Sequence, residues 1–271
     1  IARLKKSCRR CERMVQLPAP SRPIPGSMAG AGLLAHILVA KFDDHLPLYR
    51  QNEIFARMGA DIPDSTLVDW CGRAMKVLQP LIDRIDAVVM ASDLLHADDT
   101  SIRVLDRSLR DKGLGKGVKK GRIWAYVRDQ RPWAGAAPPG VTYRFAPDWE
   151  EGHVLKHLGQ SSGILQADAY AGYNQLYQND RKPGPVLSAL CWSHARRKFF
   201  ELADVEGNIR KGKSAKEISP IAFEAVQRID KLFEVEREIS GLDAAARLEA
   251  RQRLSAPLVG ELETWLRSAR A

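Results

Sequence analysis

Two aspartates, each at the end of an apolar run, are the residues of this chain best suited to chemistry. Asp98 follows LLHA at 94–97, and Asp168 closes GILQA at 163–167. Strands that run parallel gather their ends at one edge of a sheet, where ligands bind. If these two strands are neighbours, both carboxylates point into one small volume and repel each other at low effective dielectric. A divalent cation relieves that repulsion. Mg2+, or Mn2+ in its place, suits it best, because such ions take oxygen ligands and keep waters for substrate phosphates. A centre of this kind carries out phosphoryl transfer, with one metal activating a water or a 3′-hydroxyl and another steadying the leaving oxygen. Each acid alone has a structural reading, Asp98 as a turn or cap and Asp168 as the cap of a following helix. Asp99 competes with Asp98, since adjacent strand residues face opposite ways. Asp98 is the favoured ligand.

Other residues could serve the same edge. Cys191-x-x-His194 has ligand-like spacing at a strand end, and His194 there would touch a scissile phosphate or orient a metal ligand. A buried Cys with a capping His would look the same. His96 shares a strand face with Asp98, as a supporting or simply a core residue. Arg196, Arg197 and Lys198 follow on a helix, where they would contact phosphates or form a solvated face. Cys8-x-x-Cys11 has the spacing of half a zinc knuckle, and a tetrahedral Zn2+ site needs a second pair that the nearby sequence lacks. Trp124, Tyr126, Tyr170 and Tyr173 read first as core, although aromatics beside such a site can also stack on bases.

The elements that must position these residues follow from periodicity. Strands are expected at 94–106, 122–129 and 141–147, then a helix at 149–158. A strand at 163–168, a helix at 169–178, a buried strand at 186–192 and a helix at 193–204 come next. The first three strands can pair as an antiparallel meander, and the later ones need helical crossovers and run parallel. That is the ribonuclease H-like order, a mixed sheet with helices on both faces, here over 91–204. Residues 205–271 carry helical spacing without strands.

Upstream, 1–29 is basic and then Pro-rich, an extended linker. Residues 30–90 are helical. Helices at 30–42 and 47–58 precede a third, capped by Asp64 or Ser65, whose expected apolar stripe is Val68, Cys71, Met75, Leu78, Ile82 and Ile85. The second and third resemble a helix-turn-helix, which would turn Ser65, Thr66, Asp69 and Arg73 towards a DNA groove. A plain helical hairpin is the alternative.

The 271 residues hold 42 Lys+Arg against 33 Asp+Glu, a net charge of +9 that points to an anionic partner such as nucleic acid. The excess is clustered: ten basic residues against three acids at 103–131, and nine against three at 181–216. The segment 111–121 reads as a Lys-rich loop. No apolar run is long enough to span a membrane, no signal peptide is evident, and four unevenly spaced cysteines fit a reducing cytoplasm. The chain opens on Ile1 and stops inside a helical pattern, as a truncated sequence would.

The runs LHADDT at 95–100, GILQADAYAGYNQLY at 163–177 and CWSHARRKFFEL at 191–202 resemble those of the insertion sequence 66 family of transposases, as does 49–70. The resemblance implies a DDE-type catalytic core, divalent metal, and cutting and strand transfer at the ends of an element. Double-stranded DNA, both element ends and target, would be the partner. Assembly into a homo-oligomer on DNA, a nucleoid location and a zinc-binding segment near the N-terminus would follow. Two departures stand out. The usual Asp-Glu-Thr is Asp98-Asp99-Thr100, and the third acid of the triad, expected beyond a helical insertion, has no counterpart here. Glu261 and Glu263 lie in a helix without its context. The alternatives are a catalytically inactive DNA-binding fragment or decayed transposase, and, more remotely, a junction-resolving nuclease of the same fold.

Overall fold

The structure, a computed structural model, describes residues 4–16, 18, 20–113, 117–212 and 219–270. It divides into two compact units, Ile1–Arg84 and Ile85–Ala271.

The first unit opens with an antiparallel hairpin of β1 (Lys5–Ser7) and β2 (Met14–Gln16). Three helices follow, α1 (Ala31–Phe42), α2 (Leu48–Arg57) and α3 (Asp64–Met90). The prolines before α1 do prevent a helix, but the segment packs: Ile24 and Ala29 are fully buried with Leu34, Ile37, Phe55, Leu67 and Trp70. Gly59, at a φ of 82°, lets the chain reverse after α2, a conformation that costs glycine little. The expected apolar stripe on α3 needs correction. Within the first unit its buried residues are Leu67, Trp70, Cys71 and Ala74, and Val89 near its C-terminal end is buried in the second unit's core, whereas Val68 is 59% exposed and Leu78, Ile82 and Ile85 are exposed. Each helical residue advances about 100° around the axis. Burying Trp70, the largest apolar side chain in the segment, rotates Val68 out to solvent.

The second unit holds a five-stranded sheet and helices. Along the chain come β3 (Leu94–Leu105), α4 (Arg107–Asp111), β4 (Val118–Arg128), β5 (Gly140–Ala146), α5 (Glu151–Leu158), β6 (Gly163–Ala167), a 3-10 segment at Ala171–Tyr177, and β7 (Val186–Leu190). Then follow α6 (Trp192–Ala203), α7 (Val205–Arg210), α8 (Pro220–Glu238), α9 (Ala244–Ala250), a π turn, and α10 (Ala256–Arg270). In space the strands lie β5-β4-β3-β6-β7, with β3–β4 and β4–β5 antiparallel and β3–β6 and β6–β7 parallel. This is the expected mixed sheet, three antiparallel strands and then parallel ones. One sheet face packs Trp124, Tyr126, Leu95 and Leu165 against Tyr173 and Leu176 of the 3-10 segment and Val154 and Leu158 of α5.

Three local expectations are corrected. The Lys-rich 111–121 is not all loop: β4 already begins at Val118 and pairs Lys119 with Val104, while 114–116 lie outside the described residues. Of 169–178, only Ala171–Tyr177 is helical, and it is 3-10. The strand near 186–192 is not buried. Only Val186 is, while Leu187 and Leu190 are 62% and 63% exposed, because β7 is the sheet's edge.

Candidate catalytic cleft

Strand parity separates the two adjacent aspartates. Leu95 and Ala97 are buried on one face of β3, which is also the face of Asp99; His96 and Asp98 take the other. The Asp98 side chain is 66% exposed, and its Oδ1 lies 3.5 Å from His194 Nε2. The same oxygen accepts the Asp99 backbone N–H at 2.9 Å. Asp99 is 9% exposed at the side chain and accepts from Arg122 at 2.7 Å. Burial pushes its carboxyl up from the ordinary carboxylate value; Arg122 opposes the shift, and the charges of Asp168 and Asp98 add to it.

Parallel pairing brings Asp168 to the same edge. His96 is the register partner of Gln166, and two residues further along each chain segment come Asp98, still on β3, and Asp168, just past the end of β6. Asp168 Oδ1 accepts the backbone N–H of Tyr170 at 3.1 Å, which gives it the capping role that its sequence also allowed. The loop at the start of β6 is tight. Gly163 has φ 95°, and a Cβ there would meet the Asp93 carbonyl oxygen at 2.2 Å, so only glycine lets Ile164 donate to that carbonyl.

A cavity of about 380 Å3 opens beside Asp168. His194, Arg197 and Lys198 on α6 line it, with Trp149 and Tyr170. His194 is in the first turn of α6, and its buried Nδ1 has no hydrogen-bond partner among the described residues. Tyr170 stacks on Trp149 with ring centres 4.8 Å apart and planes within 11°, and its hydroxyl donates to the Trp149 carbonyl at 3.0 Å. The Arg122 guanidinium lies 4.2 Å from the indole centre. Sequence reading missed Trp149. The available signal was a tryptophan in a Pro-Asp turn directly ahead of α5. Trp124, Tyr126 and Tyr173, by contrast, are core, at most 1% exposed.

Other candidates stand apart. Arg196 is held by Asp230 of α8, Nε to Oδ1 at 2.6 Å and Nη2 to Oδ2 at 3.0 Å, so its guanidinium faces α8 and not the cleft. In the first unit, Ser65 is exposed and Thr66 half-buried at the start of α3. Arg73 pairs with Asp69 at 3.6 Å and donates to the Pro25 carbonyl at 3.2 Å. Cys8 and Cys11 flank the turn of the β1–β2 hairpin, both exposed. Backbone N–H groups of Arg10 and Cys11 lower the Cys8 thiol from its ordinary value. Glu263 pairs with Arg267 on its own helix. Among the described residues, no three His, Cys, Asp or Glu side chains are grouped as a metal site. No described helix is long and apolar enough to cross a membrane.

The fold and cleft define a mixed α/β protein with carboxylates, a histidine and cations gathered where its parallel strands end. A family profile described as "Transposase IS66 family" matches residues 26–271. This chain belongs to the IS66 family of transposases. It is 46% identical over 270 residues to the uncharacterized protein y4hP of Sinorhizobium fredii (strain NBRC 101917 / NGR234), covering 99% of this chain and 48% of that one. The uncharacterized proteins y4jD and y4qI of the same strain are 37% and 36% identical, each over 97% of this chain and 49% and 46% of their own length. The chain thus spans about half the length of the curated relatives it matches. No solved structure matches it.

Proposed function

We propose that this chain is the ribonuclease H-like core of a transposase that cuts DNA at the ends of an insertion sequence and joins the ends to a target. One observation supports the reading: in a chain of transposase lineage, the parallel pairing of β3 and β6 brings Asp98 and Asp168 to the same edge of the sheet, with Asp98 3.5 Å from His194. Asp98 and Asp168 are the residues that would hold Mg2+ or Mn2+. Two carboxylates fit such an ion, which keeps its remaining positions for water and phosphate oxygens. When bound, the metal supplies charge to an attacking hydroxyl and a leaving oxygen. The chain's own residues do the rest. The open Asp98 carboxylate would bind the ion through its oxygens, Asp99 stays paired to Arg122 and out of the site, and His194 orients Asp98 or meets the phosphate. Arg197 and Lys198 hold the DNA backbone. We assign the third carboxylate to the part of the full-length protein outside this chain, and we propose assembly on paired DNA ends in the nucleoid.

The Cys8–Cys11 hairpin supplies two thiolates, half of a Zn2+ knuckle, and would complete a site only with two further ligands. Ser65, Thr66 and Arg73 at the start of α3 are the proposed groove contacts of the first unit.

The test is nicking of element-end DNA by the full-length protein in Mn2+. Asp98→Asn and Asp168→Asn should each reduce nicking by roughly a hundred- to a thousandfold or more while DNA binding persists, at least the range that loss of one electrostatic contact to a developing charge costs. Normal nicking by Asp168→Asn would refute the assignment. A second reading, a DNA-binding fragment without catalysis, is favoured by one observation, the absence of a third acid grouped with these two among the described residues. It predicts a gel shift with element-end DNA, no nicking, and no effect of either substitution.

A further inference from the structure

We propose that the cavity beside Asp168 receives a single unpaired nucleobase of a DNA strand, set against the wall of Trp149 and Tyr170, with the adjoining phosphate on Arg197 and Lys198. This rests on the DNA-processing reading above and adds to it a binding site for one extruded or frayed nucleotide.

Size argues first. The cavity of about 380 Å3 lies in the range of small-ligand sites, roughly 300–1,000 Å3, and holds a nucleotide but no duplex. The walls argue next. One side is aromatic, and Trp149 keeps 48% of its surface exposed although it is pinned in place. Tyr170 stacks on it, the Tyr170 hydroxyl binds its carbonyl, and Arg122 reaches it from β4. A rigid, wetted aromatic edge offers a base an offset or edge-to-face contact with little ordering entropy left to lose. Every base has a π face, so such a wall accepts any sequence. The opposite side is cationic. Arg197 and Lys198 are exposed and form no ion pair with any described residue, whereas their neighbour Arg196 is tied to Asp230.

Connection to the acids argues last. Tyr170 donates its backbone N–H to Asp168, so the aromatic wall and the candidate metal ligand share one turn of chain. A nucleotide in this cavity therefore carries its phosphate beside Asp168 and His194. Stacked duplex cannot enter. Extrusion of one base would bring the strand to the carboxylates, and DNA already frayed at that position would bind tighter because the unstacking is done in advance.

The experiment compares binding of the full chain, in EDTA so that no cleavage occurs, to two short duplexes. One carries a 2-aminopurine as a single-base bulge, the other carries it paired. We expect the bulged duplex to bind roughly two- to tenfold tighter, the range that one offset or edge-to-face aromatic contact provides. The 2-aminopurine emission should be quenched on binding in the bulge and little changed in the pair. Trp149→Ala should erase the preference and the quenching while affinity for the paired duplex stays within about twofold. Trp149→Phe should keep most of both, which separates loss of the wall from loss of the fold. Arg197→Ala with Lys198→Ala should weaken both duplexes. Equal binding of bulged and paired DNA by the unaltered chain overturns the inference and leaves the transposase reading standing. No binding to either duplex overturns both. Competition by free deoxyadenosine monophosphate as strong as by the bulged strand would make this a mononucleotide pocket, and would overturn the claim of a strand-borne base.

Discussion

Replacing Arg122 by Met removes a charge while keeping most of the side chain's length, and it should destabilise the second unit by about 3 kcal/mol. The Asp99 carboxylate is 9% exposed and Arg122 is 23% exposed, with a 2.7 Å contact between them. Removing one partner of a buried pair costs about 3–5 kcal/mol, because the other charge stays behind without its partner. Arg122 reaches partly to solvent, so about 2–3 kcal/mol is the better figure, and loss of the cation over Trp149 adds about 0.5–1 kcal/mol. A domain of this size shifts in Tm by roughly 2–4 °C per kcal/mol, so thermal unfolding should move down by about 6–12 °C. The effect should also depend on pH, and its sign can be derived. Asp99 already has a raised pKa in the fold, and Arg122 is the first influence opposing that rise. Without Arg122 the folded pKa climbs further above the unfolded value near 3.9. The folded state then binds a proton at a pH where the unfolded state does not, so stability falls as pH rises. The Arg122→Met defect should therefore be largest near neutrality and shrink as pH drops through the raised folded pKa towards the unfolded value of about 3.9. Adding Asp99→Asn removes the stranded charge and should recover most of the loss, a coupling that a double-mutant cycle by circular dichroism measures. A defect that is the same at both pH values, or the same in the Asp99→Asn background, would refute the argument.

Two further predictions concern residues away from the cleft. His157 is half-buried with its Nδ1 against the Tyr126 hydroxyl at 2.9 Å, and burial lowers its pKa to about 4. It stays neutral in the fold while the unfolded chain protonates near 6.5, so stability present above pH 6.5 is lost as pH falls towards 4. After discounting for solvent screening this is about 1–2 kcal/mol, and His157→Gln should flatten that part of the pH–stability curve. Arg181 donates to four backbone carbonyls, Ser161, Gly184, Leu158 and Gly159, in the loops that lead into β6 and β7. Arg181→Ala should lower stability by about 2–4 kcal/mol in urea unfolding, with DNA affinity unchanged because those loops lie at the other end of the strands from the cleft.

What the sequence revealed follows the strength of local signals. β3 and β4 alternate or end in β-branched residues over twelve and eleven positions; β3 is found within a residue of its expected bounds, and β4 begins four residues earlier than expected, because Val118–Gly121 pair with β3. The parallel β6 and β7 were legible from short apolar runs, but not their exposure. VLSAL reads the same whether a neighbouring strand covers it or it lies at an edge. On α3 two overlapping stripes, 67–70–71–74 and 68–71–75–78, both satisfy helical spacing, and only the tertiary burial of Trp70 chooses between them. Asp168 was visible as an acid ending a strand. Trp149 was not, since a turn residue has no period, and its place beside Tyr170 depends on pairing between segments 21 residues apart. Arg196, Arg197 and Lys198 are indistinguishable as a run of charges. Asp230, 34 residues away on α8, is what sets the first apart from the other two.

The adjacent pair Asp98 and Asp99 turns these arguments into a paired prediction. A carboxylate that receives a metal has to be open to water and to entering ligands, and cannot already be neutralised by a fixed cation. Asp98 meets both conditions, with a side chain 66% exposed whose partners are the Asp99 backbone N–H and an imidazole at 3.5 Å. Asp99 meets neither, being covered and paired with Arg122. Asp98→Asn should therefore leave thermal stability within about 0.5 kcal/mol, as exposed substitutions do, and should weaken Mn2+ binding by the chain, measured by titration calorimetry, by tenfold or more. Asp99→Asn should do the reverse, altering stability and its pH dependence while Mn2+ affinity changes little. If Asp99→Asn abolished Mn2+ binding and Asp98→Asn did not, Arg122 would have to release its partner on metal binding. The roles assigned here to the two faces of β3 would then have to be exchanged.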